Sequence, residues 1–169
     1  MALDDLPGWT LRIQIAVDRL LDGFEVKFGY APDRNEVRLS PGPFLSSDLP
    51  SEVREFFTSI DEVSLPDAWN GYFIGPASEV VQRFEHSDPG LLAVEPAPHR
   101  IVAIGSDGGG SFFALDLDAG GAALRISDAT ITRGVLSGVV REVAPDLDGF
   151  LELLAANVAA VARGEDPPF

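Results

Sequence analysis

The sequence predicts an α+β fold: one domain built on a mainly antiparallel sheet, with helices packed mostly on one side. Three observations predict it. His99–Asp118 reads as two apolar strands around a Ser-Asp-Gly-Gly-Gly turn. The segments Trp9–Asp22 and Phe150–Val161 carry apolar residues at three- and four-residue intervals, the spacing of an amphipathic helix. Seventeen glycines and 13 prolines divide the 169 residues into short elements, and that length is most simply one domain.

In chain order, Ile13, Val17, Leu20, Leu21 and Phe24 form the stripe of the first predicted helix. Phe24, Val26, Phe28 and Tyr30 then alternate with Glu25 and Lys27, which predicts a one-sided strand. A turn at Ala31–Asn35 leads to a second alternating run at Val37 and Leu39, so a β-hairpin is expected. Ser40–Asp48 is a Pro/Ser connection. Leu49-Pro50 opens a short helix, with Asp48 as the expected cap and Val53, Phe56, Phe57 and Ile60 facing inward. Trp69 and Tyr72–Ile74 read as a loop and a strand broken by Asn70-Gly71, and Ser78–Phe84 as a short helix. Glu85–Pro98 is polar and Pro-rich, and a surface loop is expected there.

In the central hairpin, apolar residues occupy both faces of Arg100–Ile104, which suits a strand covered on both sides. In the second strand Phe113, Leu115 and Leu117 share one face. Phe112, Ala114, Asp116 and Asp118 share the other, so one face points to the core and its opposite ends in carboxylates. Ala123–Ile126 adds a third strand, and the valines of Ile131–Ala144 suggest a fourth. Asp146 or Asp148 caps the last helix, which Arg163-Gly164 ends before a frayed tail.

The chain carries 27 acids against 12 bases, a net charge of −15. The middle is the most one-sided part: residues 41–98 hold ten acids and only two bases, Arg54 and Arg83. Such a field repels nucleic acid and anionic membranes and favours a basic protein partner. Acidic residues near Met1 stand where a signal peptide would be basic, and no apolar run approaches the roughly 20 residues of a membrane span. A cytoplasmic protein is therefore expected. With no cysteine, disulfides and thiolate metal sites are excluded.

Little in the sequence points to catalysis. A phosphate-binding loop needs a helix after its glycines and a Lys-Ser/Thr pair; here a strand follows and no lysine is near, so a hairpin turn is the better reading. Only His86 and His99 could supply imidazole. No Gly-x-Ser-x-Gly elbow is present. Asp116–Gly121 starts like a calcium loop but lacks a side-chain ligand at its fifth position and the closing glutamate, Ser127 standing in its place. No metal or cofactor is expected.

The order of parts resembles the SUKH superfamily, which includes bacterial toxin-immunity proteins and a fungal cell-wall-assembly regulator. The resemblance rests on the Leu-Pro-led Phe-rich helix (Leu49–Ile60), the Gly-aromatic strand (Gly71–Ile74) before a short helix, the Gly-Ser-Asp-Gly-Gly-Gly turn, the strand ending Ala-Leu-Asp-Leu, and Phe150-Leu151 in the closing helix. It spans residues 49–161 as a family core, with 1–48 as a helix-plus-hairpin extension and 162–169 as the tail. Where the family often has Asn-Gly-Gly after the Phe-rich helix, this chain has Ser59-Ile60-Asp61-Glu62.

The resemblance implies a non-enzymatic protein that binds and occludes a cognate basic toxin, in many family members a nuclease. The fungal branch implies instead a regulatory interaction module without a toxin. A carboxylate-based hydrolase is the third reading, and would need two carboxylates of unlike environment in one pocket. For the binding readings the candidate partner-facing residues are Asp61, Glu62, Asp67, Trp69, Asp107, Phe112, Asp116 and Asp118. The carboxylates would meet the partner's Lys and Arg, and an aromatic such as Phe112 or Trp69 would anchor the contact, although the commoner place for Trp69 and Tyr72 is the core.

Overall fold

A computed structural model describes residues 2–42 and 48–167. Part of the Pro/Ser connection, at 43–47, and the last two residues of the tail lie outside the described residues. The protein is an α+β domain with one mostly antiparallel eight-stranded sheet. A 3-10 turn (Leu3–Asp5) leads into α1 (Leu6–Leu21), α2 (Phe24–Phe28) and β1 (Glu36–Leu39). Then come α3 (Ser51–Ser59), β2 (Ile60–Leu65), β3 (Tyr72–Ile74) and α4 (Ala77–His86). β4 (Leu91–Leu92), β5 (His99–Asp107), β6 (Phe112–Asp116), β7 (Ala122–Thr132), β8 (Val135–Ala144) and α5 (Leu147–Ala162) complete the chain.

The strands run in the order β1-β2-β3-β5-β4-β8-β7-β6, and β5 also pairs with β6. That extra pairing closes β5, β6, β7, β8 and β4 into a ring. Its closing seam is the parallel contact of β4 with β8, Leu91 opposite Val135 and Leu92 opposite Leu136. A small apolar core fills this side: Leu92, Ile101, Ala114, Ala122, Leu124, Ile126 and Leu136. The other side carries the helices and the main core, with Trp9, Phe56, Phe57, Phe113 and Phe150 fully buried. Alternation along β5 explains the division. Val102 and Ile104 serve the main core, and Ile101 serves the second.

The expected capping works at one helix and not at another. Asp146 precedes α5, and its side chain accepts the Gly149 amide. Ahead of α3 the capping position is Pro50 rather than Asp48, and no side chain caps it.

The expected N-terminal hairpin does not form. Phe24–Phe28 is a helical turn, and β1 pairs with β2 instead, Arg38 opposite Glu62. Phe24 and Phe28 are four apart, so the same pattern fits alternation and one helix face alike. The helical option brings their rings to 4.5 Å between centroids. Gly23 and Gly29, both at positive φ, end the turn on either side. β4 lies within the stretch expected to be a plain loop.

Candidate functional site

The loop joining β2 to β3 turns back on itself through the Gly71 amide, which donates to the Ala68 carbonyl at 2.9 Å. Trp69 occupies the second position of this turn with φ 59°, in the left-handed region where a bulky residue is rarely found. Its side chain stays half exposed, at 50%. A strained backbone that presents a large aromatic to solvent is the kind of outlier that accompanies a binding function.

Trp69 stands between two concavities. One, of about 280 Å³, is lined by Phe24, Phe28 and Tyr30 from α2 and the following loop, by Asp67, and by Val161, Gly164, Glu165 and Asp166 at the end of α5. Lys27 stands at its edge, its ammonium 4.9 Å from the centre of the Phe28 ring. Phe28 and Tyr30 are 45% and 58% exposed. The second concavity, of about 120 Å³, is lined by Trp69, Asn70, Tyr72, Asp107 and Arg125.

Register places the second set. Tyr72 lies opposite Asp107 across β3 and β5, while Arg125 sits on β7 opposite Phe113. Asp107 is 7% exposed, yet its carboxylate is fully engaged. Oδ1 accepts the Gly109 and Ser111 amides, both at 2.9 Å, and Oδ2 accepts Arg125 Nε and Nη2 at 3.0 and 2.7 Å. Burial alone would push the carboxyl up. The Arg125 hydrogen bonds, the Ser111 amide and the Arg125 charge outweigh it and hold Asp107 below the usual carboxylate range. Burial likewise pushes the Tyr72 hydroxyl up to about 12, against a smaller lowering effect of the nearby Asn157 amide. Asn157 is fully buried on α5.

Of the eight residues expected to face a partner, the structure brings three together: Asp67, Trp69 and Asp107. The remaining five lie apart and have internal work. Arg38 bridges Asp61 and Glu62 at 2.8 and 2.7 Å on the outer strands. Phe112 is half-buried and covers the second core. Asp116 is only 5% exposed. Its Oδ1 accepts the Asp118 and Ala119 amides, and its Oδ2 meets His99 Nδ1 at 2.7 Å. Asp118 binds the Arg100 side chain and amide, and these bonds hold its carboxyl below the usual range.

The face expected to end in open carboxylates is therefore a self-satisfied turn. Asp67 is engaged too, through Oδ2, which accepts the Asp33 amide and Asn35 Nδ2. All six predicted carboxylates thus bind partners within the chain. Sequence reasoning missed Phe28 and Tyr30 as candidate site residues, because their alternation reads as the buried face of a strand. It missed Arg125 because its pairing depends on strand register.

Among the described residues no group of three or more His, Asp or Glu is placed to hold a metal ion. No described helix is long and apolar enough to cross a membrane. No family model, no curated protein and no solved structure matches this chain.

Proposed function

We propose that this chain is a non-enzymatic binding protein of the SUKH kind: an immunity protein that neutralises a cognate basic toxin domain by occluding its active site. The observation that carries this reading is Trp69. A half-exposed tryptophan held at positive φ, with exposed Phe28 and Tyr30 beside it, is an anchor-rich surface on a chain of net charge −15. Exposed aromatics supply affinity where they are desolvated by a partner, and the surrounding charge speeds the encounter with a basic one.

Trp69 stays among the anchors expected at first, Phe28 and Tyr30 join it, and Phe112 and the Asp116/Asp118 face drop out. Asp116 and Asp118 already satisfy a turn, so meeting a partner through them would break internal bonds. Trp69, Tyr30 and Phe28 can be covered without any such loss. The two buried carboxylates, Asp107 and Asp116, are tied to Arg125 and His99 and to backbone amides. That arrangement suits architecture better than acid–base chemistry, and it supports the binding reading over a hydrolase.

The test is co-expression with any toxin-like basic domain encoded beside this chain. Protection that Trp69→Ala abolishes, without loss of fold, supports the proposal. Protection undiminished by Trp69→Ala overturns this placement of the surface. No protection from a toxic basic domain overturns the immunity reading.

A further inference from the structure

The aromatic concavity has a chemistry of its own. Phe24, Phe28 and Tyr30 form a tight group: Phe24 meets Phe28 at 4.5 Å between centroids and Tyr30 at 5.4 Å, the latter edge to face. Trp69, from the β2–β3 loop, lines the same cavity, as do Asp67 and Asp166. The faces of aromatic rings carry negative potential and attract cations, tryptophan most strongly. Three carboxylates line the cavity against one ammonium, that of Lys27. Glu165 is committed to Arg163. Asp67 uses only Oδ2 among the described residues, which leaves Oδ1 for a ligand.

At about 280 Å³ the cavity falls just under the roughly 300–1,000 Å³ of sites for drug-sized ligands. It suits a single side chain. Lys27 already shows that this aromatic surface takes a cation, since its ammonium rests over Phe28. A planar guanidinium has the further advantage that it can stack on a ring and pair with a carboxylate at once.

We infer that the Phe24–Phe28–Tyr30–Trp69 cavity is a receptor for an arginine side chain presented by the partner, with Asp67 and Asp166 receiving the guanidinium. This rests on the reading of a basic protein partner and states how that partner is gripped. Lys27 is then a resident competitor, a cation of the chain's own at the edge of the site. Removing it should tighten binding.

The chain holds two tryptophans, and they make the test internal. Trp9 is fully buried, and its indole N–H donates to the Leu151 carbonyl at 2.8 Å. The Trp9 indole signal therefore reports the fold, and the Trp69 indole signal reports the site. The probe is the blocked peptide acetyl-Gly-Arg-Gly-amide, titrated in 0.15 M salt into isotope-labelled protein, with the Lys and Glu peptides as comparisons.

The expected result is a saturable shift at Trp69, stronger with Arg than with Lys and absent with Glu, while Trp9 stays still. Lys27→Ala should bind the Arg peptide about two- to fivefold more tightly, the size of one exposed charge interaction. Phe28→Ala with Tyr30→Ala should abolish the shift with the Trp9 signal in place. An unmoved Trp69 signal, equal effects of Arg and Glu peptides, or weaker binding by Lys27→Ala would each overturn the inference. A basic toxin domain that binds equally to wild type and to the Phe28/Tyr30 double variant would also overturn it, while leaving the partner reading intact. Arg-peptide binding without capture of any basic protein would do the reverse.

Discussion

Gly108 lies directly against Asn70. Its amide donates to the Gly71 carbonyl at 3.3 Å, and a Cβ at position 108 would overlap the Asn70 carbonyl oxygen. The glycine turn of the central hairpin therefore supports the loop that presents Trp69. Gly108→Ala should push that loop away, shifting the Trp69 signal and weakening partner binding. Gly110 is the comparison. It has φ 86° with open space around its missing Cβ. Gly110→Ala should cost about 1–2 kcal/mol of backbone strain and leave the Trp69 signal in place. Thermal melts and the indole spectrum of the two variants check this pair.

Asp107 and Arg125 form the next test. Arg125→Met leaves a buried carboxylate without its cation, at a cost of about 3 kcal/mol at pH 7. Asp107→Asn removes the charge itself and keeps an acceptor for the turn amides, so it should cost less, about 1–2 kcal/mol.

The pH dependence of these variants has a definite sign. Asp107 titrates lower in the folded than in the unfolded chain. Its contribution is therefore full above about pH 5 and fades as the pH falls through roughly 4 toward the folded value. In Arg125→Met the lowering by the guanidinium is lost, so less stability is left to fade in acid. The gap between this variant and wild type should then narrow on acidification. Urea unfolding at pH 7, 5 and 3 reads it, and a gap that widens in acid would contradict the assignment.

Asp116 is expected to matter to the fold rather than to a partner. Asp116→Ala removes the acceptor of two turn amides and the His99 contact, and should cost about 2 kcal/mol. Asp116→Asn combined with Asp118→Asn should leave partner affinity unchanged. Calorimetric titration of the double variant with the partner reads this separately from its melting temperature.

Trp69 should show the opposite balance. Trp69→Gly places at φ 59° the one residue that adopts it freely. Relief of strain offsets the lost packing and the entropy of glycine, so the variant should stay within about 1 kcal/mol of wild type. Its partner binding should be lost. A large fall in melting temperature would show that Trp69 serves the fold.

Much of the fold was legible in the residues, and the exceptions have physical causes. The stripes of α1, α3 and α5 and the β5–β6 hairpin follow from periodicity and turn chemistry alone. The helical turn at Phe24–Phe28 was not legible, because residues 24, 26, 28 and 30 also satisfy a period of two. β2 was obscured by Asp61 and Glu62, which look like turn residues until Arg38 is placed beside them by the β1–β2 register. β4 has two residues and exists through its neighbours.

The site was legible in part. Trp69, Asp67 and Asp107 stand out as an aromatic and two acids near glycine turns. Nothing local indicates that Asp107 meets Arg125 or that Asp118 meets Arg100, partners 18 positions apart in each case. Carboxylates counted from sequence look available; register decides which are spent inside the molecule.

The most direct test of the central claim is salt-eluted affinity capture with four baits in parallel. The baits are wild type, Trp69→Ala, the Phe28→Ala/Tyr30→Ala double variant, and Asp116→Asn/Asp118→Asn. The prey is any toxin-like domain encoded beside the chain, together with extract of its own cells. The account predicts one basic partner, released by rising salt, retained by wild type and the Asp116/Asp118 variant and lost from both aromatic variants. Retention by the aromatic variants with loss from the Asp116/Asp118 variant would contradict it, as would capture of acidic partners alone.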